Sequence, residues 1–252
     1  MIWKFFIKCN KRSYGYRQLN SGKIIKTIAI LKHRIEERFP QANLIQVCDE
    51  LLNIAQESQE KIIWIEKPNY IVRFIMSFLF ICLLFFSLHY FPIIEMPKKS
   101  WQLNEFVQSL DAITGVFIAL FFLVYFFISF ENRLKRERAI EALHELRAIS
   151  HVIDMHQLTK DPSKFIILNN NTFIDMIEPT QSSPKLMMNP KSLIRYLHYC
   201  TELLSLTGKI AALYGQKLED ATIIRNINDI EELTTSLSQK IWQKIIILKG
   251  SV

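Results

Sequence analysis

Three of the six histidines fall in one block, ALHELRAISHVIDMHQLTKDP (residues 142–162), where His144, His151 and His156 sit among Glu145, Asp154 and Asp161. Imidazole and carboxylate are the ligand types of catalytic zinc, so the block invites a metal-dependent hydrolytic reading. Helical spacing narrows it. His144 and His151 are seven residues apart, about 10 Å along a helix axis, too far to share one ion. Asp154 and His156 are two apart and point to different faces. Only His151 with Asp154 has a usable spacing, and that pair needs two more ligands. His198 or a carboxylate on another helix could supply them. The competing reading makes His151–Asp154 a local hydrogen bond that ties the end of a helix to its neighbours. A third use of the cluster is as a polar surface for a partner. No catalytic residue is assigned.

Other chemistries lack their residues. No phosphate-cradling loop or dinucleotide fingerprint occurs, and the chain has six glycines in all. Neither G-x-S-x-G nor H-E-x-x-H is present. No cofactor is expected. The net charge of +7 is spread among carboxylates, which fits contact with an anionic leaflet better than nucleic acid. Cys9, Cys48, Cys82 and Cys200 form no close pair, and free thiols are expected.

The elements that must position this block are dominated by two apolar spans, 71–91 and 112–130. At 1.5 Å per residue they reach roughly 31 and 28 Å, enough to cross a hydrocarbon core of about 30 Å. Twelve residues between Val116 and Phe130 are Val, Ile, Leu or Phe, which favours insertion by about 4–7 kcal/mol. Lys61, Lys67 and Arg73 border the first span, and Arg133, Lys135, Arg136 and Arg138 follow the second. The intervening loop has only Lys98 and Lys99, beside Glu95, Glu105 and Asp111. This asymmetry places both termini in the cytoplasm. Ala112, Gly115 and Ala119 give the second span a small face for close helix packing, within one chain or between chains.

Residues 1–20 begin MIWKFFIKCNKR, a basic amphipathic segment suited to a membrane surface or to packing on the soluble part. Residues 21–67 read as a cytoplasmic helical hairpin. Ser21 can cap its first helix (Ile24, Ile28, Leu31 and Ile35 inward), and Phe39-Pro40 ends it. Asn43 with Gln46 suggests a capping box for a second helix burying Leu44, Val47, Leu51, Ile54, Ser58, Ile62 and Ile65. Residues 68–131 form the transmembrane hairpin, and 132–252 a cytoplasmic helical domain. After Gly115 there is no Gly or Pro until Pro162, so one helix of about 46 residues can run from the second span through the histidine block. Its stripe is Leu143, Leu146, Ile149 and Ile153 with neighbouring alanines. Residues 162–189 read as an irregular loop, with KFIIL and TFIDMI as a candidate strand pair. Asn189-Pro190 then starts a helix burying Leu193, Leu197, Cys200, Leu204, Ile210 and Tyr214 and ending at Gly215. A last helix, 222–248, turns Ile223, Ile227, Ile230, Leu233, Leu237, Ile241 and Ile245 inward.

The block 142–162, with LHYCTELLSLTGKIAALYGQ and ELTTSLSQKIWQKI, resembles uncharacterised bacterial two-span inner-membrane proteins over roughly the C-terminal half. That resemblance implies a bacterial inner membrane and carries no activity. The expectation is an all-α membrane protein, a two-helix transmembrane hairpin with a cytoplasmic helical bundle. It would be multi-pass in the inner membrane, partnered by the bilayer and by a protein or a second copy held through its cytoplasmic helices. Its work would be interaction, scaffolding or signalling rather than catalysis. An oligomeric channel or pore and a membrane-tethered metal-dependent enzyme are the alternatives.

Overall fold

The computed structural model describes residues 18–67, 70–90, 103–160, 162 and 188–250, and is all-helical over them. Six helices follow in chain order: α1 (Ser21–Arg38), α2 (Leu44–Glu66), α3 (Tyr70–Tyr90), α4 (Leu103–Leu158), α5 (Pro190–Gly215) and α6 (Ala221–Gly250). The chain forms two compact units, residues 1–64 with 139–252 and residues 65–138. The N-terminal segment 1–17 and the proposed strand pair in 162–189 lie outside the described residues.

Helix ends are set by side chains with free acceptors. Asn20, not Ser21, caps α1 by accepting from Lys23 N at 3.0 Å; the amide oxygen reaches the third helical residue from one position further out. Asn189 caps α5 by accepting from Ser192 N at 2.7 Å, with Pro190 in the first turn, where its missing N–H costs nothing. Asp220 caps α6, accepting from Thr222 N at 2.9 Å. At α2 the backbone carbonyl of Asn43, rather than a capping-box side chain, receives Gln46 N and Val47 N.

The first unit is a helical bundle. α1 and α2 run antiparallel, joined by Lys32–Asp49 at 2.6 Å. Buried Cys48 also points its thiol at the Ile28 carbonyl, and burial pushes its pKa up to about 12. Phe39 and Tyr196 meet edge to face at 5.6 Å, and Arg34 reaches both carboxylate oxygens of Glu202, at 3.1 and 3.3 Å, docking α1 on α5. α5 packs antiparallel along α6. A Cβ on Gly208 would come within 3.2 Å of Thr234 Oγ1, so glycine is what admits this approach. α4 enters through Ala139, Ala142, Leu143, Leu146, Ile149 and Ile153, all buried.

Two inward stripes shift by one residue from the sequence reading. On α2, Ala55 is buried and Ile54 is only half-buried; on α6, Thr234 is buried and Leu233 is half-exposed. In both cases the smaller residue of the pair takes the buried position, and at Thr234 it faces Gly208 across the α5–α6 contact. α4 is longer than the 46 residues expected, at 56 residues, because nothing between Leu103 and Gly115 breaks a helix.

The second unit holds α3 and the first part of α4. Many of its described apolar side chains face outward: Phe74, Phe78, Phe85, Phe117, Phe121, Phe122 and Phe126 are all exposed. Among the described residues one stretch, within Phe117–Leu158, is long and apolar enough to cross a membrane, and none of its most apolar window is buried inside the protein. At its basic end Lys135 pairs with Glu131 at 2.8 Å and Arg133 with Glu137 at 3.0 Å.

Candidate functional site

The histidine block does not converge. His144 and His151 are exposed on α4. Asp154 accepts from Gln157 Nε2 at 2.6 Å, so the local bond expected with His151 is replaced by one to a neighbour three residues on. Gln157 is itself buried, and Lys244 on α6 donates to its side-chain oxygen at 2.6 Å and its carbonyl at 3.0 Å. Asp154, Gln157 and Lys244 thus form a polar chain that joins α4 to the parallel α6. A lysine satisfied by two oxygens, with a carboxylate behind them, is a structural tie; its geometry offers no open ligand position. Asp161 lies outside the described residues. Among the described residues no group of three or more His, Cys, Asp or Glu could hold a metal ion.

His156 and His198 have separate surroundings. His198 packs edge to face on Trp242, with ring centroids 5.3 Å apart. Burial holds its pKa below 6.5, aided by Lys249 and Arg195 and opposed by Glu202. Burial, then Lys160, does the same to His156. The sign follows: above pH 6.5 both the folded and unfolded chains hold neutral rings. Below it the unfolded chain takes up protons that the folded chain resists, so stability falls with pH through the interval down to the folded pKa values. We expect thermal unfolding of the bundle to occur at a lower temperature at pH 5.5 than at 7.5. His156→Gln with His198→Gln should flatten that dependence, as read by calorimetry.

What the fold does assemble is a polar node where α2, α4 and α5 meet. Lys61 on α2 donates to both Glu145 oxygens, at 2.8 and 3.1 Å, and pairs with Glu57 at 3.1 Å. Burial opposes the charge on Lys61, and the bonds to the two carboxylates outweigh it, raising its pKa. Nearby, Ser58 and Tyr214 are buried. Burial raises the Tyr214 pKa and the neighbouring Ser58 hydroxyl is the first group to oppose it, although the Tyr214 hydroxyl forms no hydrogen bond of good geometry. An unsatisfied buried hydroxyl costs about 1–3 kcal/mol. Tyr214→Phe should therefore hold or raise the melting temperature, by about 2–4 °C for a gain near 1 kcal/mol in a unit of this size. A fall of several degrees would show that the hydroxyl is bonded. Sequence spacing could have shown part of this: Leu146, Ser150, Ile153 and Gln157 share one helical face, so Gln157 belongs to the buried stripe.

Two clefts open on the bundle. One, about 560 Å³, is lined by Arg38, Asn43, His156, Lys160, Met188 and Tyr196. The other, about 690 Å³, runs between α2 and α4. Its floor is Val47, Ile54, Ile149 and Val152, and its rim carries Glu50, Glu57 and Glu145. His156 touches both. Gly115, one of the three small residues proposed for helix packing, has nothing among the described residues within 4 Å of where a Cβ would stand. Ala119 is exposed on the same helix. No protein-family model, curated protein or solved structure matches the chain.

Proposed function

We propose that this chain is a multi-pass protein of a bacterial inner membrane, anchored by α3 and by residues 112–130 of α4, which presents its helical bundle in the cytoplasm as an interaction or signalling module. One observation carries the reading: the aromatic residues of 117–130 stand outward and unburied. In water such a surface would far exceed the apolar patch a monomer tolerates, whereas lipid is a matching solvent for it. The basic residues after Phe130 and before Ile71 support an orientation with both termini inside. The clefts and ion pairs of the bundle support recognition rather than bond-breaking chemistry, because its charged groups are matched to one another across helices. Outward Gly115 and Ala119 suit contact with a second copy in the bilayer. The test is a pair of terminal fusions to a periplasm-active phosphatase and to a cytoplasm-active fluorescent reporter. Phosphatase silence with fluorescence at both ends is the expected result; phosphatase activity at either end overturns the topology.

A further inference from the structure

The cleft beside the α1–α2 turn gathers cations with no carboxylate among them. Arg38 enters it from the last turn of α1, His156 from the last turn of α4 and Lys160 from just beyond. Among the described residues its lining includes no aspartate or glutamate. Elsewhere the bundle answers its cations across helices: Lys32 with Asp49, Arg34 with Glu202, Lys61 with Glu145, Arg147 with Asp229. Neither Arg38 nor Lys160 has an ion-pair partner among the described residues. The helix dipole favours a cation at a C-terminal turn. That accounts for Arg38 and His156 one at a time, but not for their meeting Lys160 in one cleft.

The surrounding packing holds these groups in place. Phe39, next to Arg38, meets Tyr196 edge to face at 5.6 Å and Tyr199 at 6.2 Å. The turn is closed by Phe39 N donating to Ile35 O at 2.7 Å and Ala42 N to Phe39 O at 2.9 Å. The Lys160 ammonium stands 5.4 Å from the centroid of the Tyr196 ring, on the cleft wall. Lys160 is close enough to His156 to disfavour a charge on its ring. Like charges crowded in this way are relieved by an anion.

The donor set points to phosphate. Arginine offers a planar fork, lysine a point charge and imidazole a ring N–H. A phosphate ester brings about −1.5 to −2 charges and three acceptor oxygens, where a carboxylate brings one charge and two oxygens. At about 560 Å³ the cleft falls within the range of small-molecule pockets, about 300–1,000 Å³. Pro40 and Met188 add apolar wall, and Gln41 and Asn43 add side-chain amides.

We propose that this cleft binds the phosphate of a small phosphorylated ligand, with Arg38, His156 and Lys160 as donors and the organic part against Pro40 and Met188. The cleft belongs wholly to the bundle unit, so the inference stands apart from the membrane reading. Inorganic pyrophosphate, titrated by calorimetry into the full chain in neutral detergent micelles, should saturate one site per chain. Arg38→Gln/Lys160→Gln should weaken binding by about a hundredfold, near tenfold for each charge-assisted bond lost. Lys26→Gln/Lys240→Gln removes the same charge from exposed positions outside the cleft and should leave binding unchanged. Gln41→Glu sets a carboxylate in the cleft from an exposed position. It should weaken binding by about tenfold or more with every cation in place, and it decides the matter if the double variant fails to fold. Phosphatidic acid dispersed in the same micelles separates the two sources of phosphate. Binding confined to it and lost in Gln41→Glu keeps the site and assigns the phosphate to a lipid headgroup. Saturation by neither probe, or equal binding by the cleft and control variants, overturns the proposal.

Discussion

Replacing both Phe121 and Phe122 with aspartate should keep the second span from inserting and expose a phosphatase fused at the C-terminus to the periplasm, while Phe121→Leu/Phe122→Leu should leave that end in the cytoplasm. Both phenylalanines are exposed, at 68% and 63%, near the middle of the apolar stretch of α4. Neither makes a core contact whose loss could unfold the bundle. Each aspartate at the centre of a span costs about 2.5–3.5 kcal/mol, and the lost phenylalanines remove roughly another 0.3–0.6 each. The total, about 6–8 kcal/mol, matches or exceeds the 4–7 kcal/mol that the aliphatic and aromatic residues from Val116 onward contribute to insertion. Aspartate is the sharper probe than lysine, whose long stem can carry its charge back to the interface. The leucine pair keeps the hydrophobicity and removes only the rings, so it separates insertion from aromatic packing. A C-terminal phosphatase that stays silent in the aspartate variant, or recovery of the unaltered chain as a folded monomer without detergent, would sink the membrane reading.

The helical class was legible because its signals are local. Ile24, Ile28, Leu31 and Ile35 repeat at helical spacing and are all buried, and Asn189-Pro190 combines an acceptor with a residue whose N–H is not needed. Positions at which two helices touch were less legible. Periodicity marks a face about 100° wide, and it favours the larger residue of any neighbouring pair. The fold buries Ala55 ahead of Ile54 and Thr234 ahead of Leu233, and at Thr234 the close approach of Gly208 on the facing helix leaves room only for the smaller residue. The histidine block was hard to read for a related reason. Residue type proposes ligands, but only the neighbouring helix decides what each one meets. For Asp154 the partner is Gln157, itself held by Lys244 from 87 positions further along the chain. For His198 it is the Trp242 ring. Bonds of such long sequence separation leave no periodic trace.

Leu146→Ala and Leu197→Ala test whether helices from both sides of the apolar spans fold as one body. Both leucines are fully buried, Leu146 on α4 and Leu197 on α5. Truncating such a residue removes its transfer energy and leaves a cavity, at about 2–5 kcal/mol each. The total stability of a domain is only about 5–15 kcal/mol, so the double variant should be largely unfolded at 37 °C. The informative readout is distant from both sites. Lys32–Asp49 joins α1 to α2, and Cys48 is buried in the same layer, far along the chain from either leucine. If the bundle is a single cooperative unit, Cys48 should react with a thiol reagent faster in each single variant, by a factor set by its stability loss: about thirtyfold for 2 kcal/mol. Were α1–α2 an autonomous hairpin, the same variants would loosen α4 and α5 while leaving Cys48 as slow as before. The Arg34–Glu202 pair and the Phe39–Tyr196 contact, which stitch α1 to α5, argue for the first outcome.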